Sequence, residues 1–69
     1  MNVESWQAIG EVIAAAHAAY GDMQIRGIEC ESREERFSVY RVDLIDSDCE
    51  RRSVRARYNR NNGAWFPPQ

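Results

Sequence analysis

The sequence has no lysine and no threonine, and it uses cysteine, proline and histidine sparingly: two, two and one in 69 residues. Without lysine there is no amine for Schiff-base chemistry. All nine basic residues are arginine, which fits codon bias in a GC-rich genome. A lone histidine, His17, and two thiols, Cys30 and Cys49, lack the CxxC or HxxxH spacing of a four-ligand zinc site. His17 lies beside the apolar stripe of a predicted helix, where an imidazole is ordinarily a partly exposed side chain and not half of a Cys–His catalytic pair. No apolar run nears the roughly eighteen residues of a membrane span. The one leader-like stretch, Trp6 to Tyr20, follows Glu4 instead of a basic segment and contains Glu11. It is therefore not expected to be a signal peptide, and the expected location is cytoplasmic. No Gly-rich phosphate loop, GxSxG turn or rigid pair of carboxylates occurs, so neither catalysis nor a cofactor is expected.

A chain of 69 residues makes one domain, and it buries only about 60% of its unfolded surface. A hydrophobic content of 43% nevertheless argues for a folded core. Charge is unevenly laid out. Residues 1–50 hold all eleven acids against four arginines, a net of −7, and residues 51–69 hold five arginines and no acid, a net of +5. Either the halves neutralise each other across a sheet, or the last third presents an arginine surface to an anionic partner.

The pattern of what is present points to an α+β domain: one N-terminal helix packed on a three- to four-stranded antiparallel meander. Trp6, Ile9, Ile13, Ala16 and Tyr20 recur at helical spacing, widened by Val12, Ala15 and Ala19. The alanine-rich surface lets a sheet approach closely. Asn2 or Ser5 is placed to cap the start, Gly10 suggests tight packing, and Gly21 suggests a left-handed helix end. Tyr40, Val42 and Leu44 then alternate with Arg41 and Asp43, the period of a strand with one dry face. Before it, Met23 to Glu31 reads as a strand whose phase flips at Arg26-Gly27, a bulge signal. After it, Val54, Ala56 and Tyr58 alternate with Ser53, Arg55 and Arg57, and Asn59 to Gly63 turns into a short strand at Ala64-Trp65-Phe66. Trp6, Ile9, Ile13 and Tyr20 are expected to face the sheet. Glu29, Glu31, Arg41, Asp43, Arg55 and Arg57 are expected to line its opposite face.

This layout predicts two free thiols, Cys30 buried and Cys49 exposed. The turns that hold them are about 25–30 Å apart along a strand, whereas a bridge needs Cα atoms within about 7 Å. Asp46, Asp48 and Glu50 alternate like calcium ligands, but Arg51 and Arg57 stand where a calcium loop needs Gly and Glu. Arg51, Arg52, Arg55, Arg57 and Arg60, with Tyr58 and Trp65, form an arginine-rich strip of the kind that binds nucleic acid. The acids sharing that face and the pI near 5.3 argue against that use. Trp65 and Phe66 could contact a partner, or fold back on Trp6 to close the core.

A helix ending Ala18-Ala19-Tyr20-Gly21, a strand around Ile28-Glu29, the run Tyr40 to Leu44, Ser53-Val54-Arg55 and the hairpin Asn59 to Trp65 together resemble a PepSY-type domain over about residues 8–66. Asn59 stands where that family usually has Asp, and no export signal is expected ahead of the helix. The resemblance implies a non-enzymatic module that docks on another protein, as PepSY-like domains are associated with protease propeptides and inhibition. The same size and lack of catalytic groups suit a phage or mobile-element inhibitor of a host defence complex, of the anti-CRISPR type. The expected partner is a protein of unspecified identity, met through Arg41, Asp43, Arg55 and Arg57 or through Trp65 and Phe66. The expected state is a monomer or weak homodimer, with no membrane attachment.

Overall fold

The computed structural model describes the backbone of residues 3–67 and the side chains of residues 6–67. One helix, α1 (Val3–Ala19), precedes four strands, β1 (Gln24–Arg33), β2 (Ser38–Ile45), β3 (Arg51–Asn59) and β4 (Gly63–Trp65). They form a single antiparallel sheet in the order β1-β2-β3-β4, the expected meander. The helix lies on one face, chiefly over β3 and β4, and touches β1 more sparsely.

Alternation in β2 sets the core. Tyr40, Val42 and Leu44 are 5, 0 and 1% exposed, so the dry face is the one predicted. With Val54 and Ala56 of β3 and Ala8, Val12 and Ala16 of α1 they make up the buried cluster among the described residues. Burying a Val or Leu side chain contributes about 1.5–3 kcal/mol relative to leaving it in water. The fully buried Val12, Val42 and Leu44 each contribute on that scale.

The helix is turned differently from the expectation. Ala8, Val12 and Ala16 form the contact line, flanked by Ile9 and Tyr20, while Trp6 is 62% and Ile13 36% exposed. Small residues permit the closest approach to Ala56 and Val42, and close approach puts a large indole on the flank instead of in the seam. Gly10 accordingly packs against nothing, since an added Cβ would meet no atom within 4 Å. The helix already runs through Ser5, which is therefore not its cap. Asn2 lies outside the described residues.

Cys30 is also corrected. It is cross-strand partner to the buried Tyr40 but is itself exposed, in keeping with the sparse contact between the helix and β1. Cys49 is exposed, and both thiols are unbridged. The bulge predicted at Arg26-Gly27 is present as a register shift between Ile25 and Gly27. A second shift, between Cys30 and Ser32, makes Glu31 an extra residue.

The turns follow local hydrogen bonding. The helix ends with Tyr20 N donating to Ala16 O (2.7 Å), and Met23 N donates to Tyr20 O (2.9 Å) in the bend to β1. Gly21 does not have positive φ here. Instead, an added Cβ would lie 3.3 Å from His17 O, so the crowded helix end favours a residue without one. Asp46 Oδ1 accepts from the backbone N–H of Asp48 and Glu50, both at 2.9 Å, and so organises the β2–β3 turn. Cys49 in that turn has φ 64°. Asn59 Oδ1 accepts from Asn62 N at 2.6 Å, and Gly63 supplies φ 73° where β4 begins.

Candidate functional site

The sheet face away from the helix collects the charged residues. In register, Glu29 lies opposite Arg41 and Arg41 opposite Arg55, so one row runs across β1, β2 and β3. Two arginines directly opposed would repel. Each is held by an acid from β1: Arg41 Nη2 lies 2.6 Å from Glu29 Oε2, and Arg55 Nε 2.6 Å from Glu31 Oε1. Glu31 reaches over β2 to do this, which its position in the second bulge permits. That bond and the carboxylate charge push the Arg55 guanidinium up from its usual value.

The pairing continues along β2. Asp43 Oδ1 accepts from Ser53 Oγ at 2.8 Å and lies 3.4 Å from Arg41 Nε. The latter contact is an ion pair without hydrogen-bond alignment, because the buried Nε has no hydrogen-bond partner. Arg41, Asp43 and Arg55 are thus engaged in internal contacts, and the Arg55–Glu31 pair joins the acidic and basic parts of the chain on this face.

The next row differs. Val39, Arg57 and Trp65 are register partners across β2, β3 and β4. Arg57 stacks on Phe37 with its guanidinium carbon 4.8 Å from the ring centroid, and it makes no ion pair among the described residues. Phe37, Val39 and Trp65 are half-buried and Arg57 is exposed. The result is an apolar corner with one cation held over an aromatic ring. Phe37 and Val39 were not among the expected site residues, although they share parity with Arg41 and Asp43.

Phe66 does not join this corner. It turns to the helix side and packs edge-on against Tyr20, with centroids 5.4 Å apart and planes at 89°. Arg52 covers the same tyrosine at 5.9 Å. Tyr20 therefore takes the place expected of Trp6 in closing the core around Phe66. The arginine-rich strip is divided likewise: Arg52 goes to the helix side, while Arg55 and Arg57 face outward.

Between the start of α1 and the two turns at that end lies a cavity of about 300 Å³, lined by Arg33, Arg36 and Arg60 but also by Glu34 and Glu35, with Tyr40 at its edge. Burial, helped by Cys30, raises the Tyr40 phenol above its ordinary value of 10.0, although Arg33 opposes the shift. His17, which is exposed, lines a shallow depression with Ile13, Met23 and Ile25. Among the described residues no cluster of His, Cys, Asp and Glu could hold a metal, and no helix is long and apolar enough to cross a membrane.

No family model, curated protein or solved structure matches the chain.

Proposed function

We propose that this chain is a non-enzymatic module that binds a protein partner and inhibits it, as the PepSY-like pattern of its sequence implies. The observation that carries this reading is the outward corner of Phe37, Val39, Arg57 and Trp65. It brings aromatic and arginine side chains together at the surface, the residue types that anchor protein interfaces. The neighbouring Arg41, Asp43 and Arg55 form a pre-ordered polar rim with their charges already paired. A rim of that kind contributes register more than affinity.

The test is capture. The immobilised chain should retain one protein from extracts of its native host, and the retained protein's activity should fall when the chain is added. Trp65→Ala should release it while the melting temperature stays within a few degrees. Capture that survives Trp65→Ala at full strength would remove this face from consideration. The arginine-strip alternative, nucleic-acid binding, predicts an affinity that falls steeply with salt. The division of the strip between two faces and the acids beside it weigh against that alternative.

A further inference from the structure

We infer that the partner meets the Phe37–Arg57–Trp65 corner with an acidic segment carrying apolar side chains, an inference that rests on the docking role just proposed. The argument is one of charge complementarity. Along the outward face, Arg41 is ion-paired with Glu29 and Asp43, and Arg55 with Glu31. Arg57, one row further on, lies over the face of Phe37 and has no ion pair among the described residues. The guanidinium sits over the Phe37 ring at 4.8 Å, and no carboxylate among the described residues pairs with it. A carboxylate arriving there meets a guanidinium already restrained against a ring, so less side-chain entropy remains to be lost. It does not have to compete with Glu31, whose oxygens are engaged by Arg55. Val39 and Trp65 flank Arg57 in the same register row, so an apolar side chain next to the acid would cover them.

Basic or neutral segments fit less well. A basic one would bring like charge to Arg57, and a neutral one would desolvate the guanidinium without replacing its water. Nucleic acid would need several free cations in a line. Here the neighbouring arginines are neutralised at 2.6 Å.

The probe is a capped, fluorescein-labelled peptide, Asp-Asp-Leu-Leu-Asp-Asp, with Asn-Asn-Leu-Leu-Asn-Asn and a single-stranded oligothymidylate as comparisons. Anisotropy should give saturable binding of the acidic peptide, at least tenfold tighter than the uncharged one. In NMR spectra the Trp65 indole and the amides of Val39 and Arg57 should shift most. R57Q should weaken binding at least tenfold. R51Q should change it less than twofold, since Arg51 lies at the opposite end of β3 beside Ile45. No binding, equal binding of the uncharged peptide, indifference to R57Q, or tighter binding of the oligothymidylate would each overturn the inference. Host-extract capture separates it from the broader reading. A partner lost with Trp65→Ala but kept with R57Q leaves docking in place and removes the acidic class. A partner indifferent to both removes the docking face itself.

Discussion

Arg41 and Arg55 stand directly opposite each other on β2 and β3, and each is restrained by a different glutamate of β1. The two like charges are tolerable because Glu29 and Glu31 bind them from β1, Glu31 by reaching across β2. Replacing Glu31 with Gln should therefore lower the melting temperature by more than the loss of an isolated surface pair, because it exposes the Arg41–Arg55 repulsion. The deficit should shrink as salt rises from about 0.01 M to 1 M, where the screening length falls from about 30 to 3 Å. Thermal melts of both proteins at the two salt concentrations would measure it. A deficit independent of salt would mean the repulsion is not its source.

Two glycines should respond in opposite directions. Gly10→Ala adds a methyl to open space on a helix and should stabilise by about 0.5–1 kcal/mol. Gly63→Ala should destabilise by about 1–2 kcal/mol, because φ is +73°. The new Cβ would also lie 2.8 Å from Glu11 Oε2, so adding Glu11→Ala should recover part of the loss. Urea denaturation of the parent and the three variants gives these differences.

Cys49 occupies a left-handed backbone position, φ 64°, without the freedom of glycine. Cys49→Gly should stabilise by about 0.5–1 kcal/mol in chemical denaturation. The thiol is exposed and unbridged, so no covalent link is lost. An unchanged denaturation midpoint would mean that the turn, held by Asp46, carries no strain at this residue.

The raised pKa of Tyr40 makes stability fall on the alkaline side. The folded chain holds the phenolic proton more tightly than the unfolded chain. Its contribution is therefore fully present below the unfolded value near 10 and is lost as pH rises through the higher folded value. Tyr40→Phe removes this titration, so its melting temperature should decline less than that of the parent above about pH 10. Parallel declines would assign the alkaline loss to other groups.

The strand order and the dry face of β2 were legible because Tyr40, Val42 and Leu44 repeat at the pleat period and Arg41 and Asp43 interrupt them. Arg26-Gly27 likewise announced the first bulge. The rotation of α1 was not legible from side-chain size. Trp6 and Ile13 look like core residues, yet the seam belongs to Ala8, Val12 and Ala16, because contact distance favours small residues. The exposure of Cys30 was not legible for a related reason: parity gives the face of a strand but not how much of it is covered. The link from Glu31 to Arg55 depends on a bulge that no glycine marks, so no local signal announced it. Phe37 and Val39 could have been placed outward by parity alone, whereas the stacking of Arg57 on Phe37 required the register.

The two bulges in β1 have a consequence for how this molecule meets others. β1 is the long outer edge of the sheet, and its ladder is broken at Arg26 and again at Glu31. An incoming strand needs evenly spaced amide and carbonyl groups, and this rim offers them only in short, misaligned runs. Fibre growth by edge-to-edge stacking is discouraged even when the chain is concentrated.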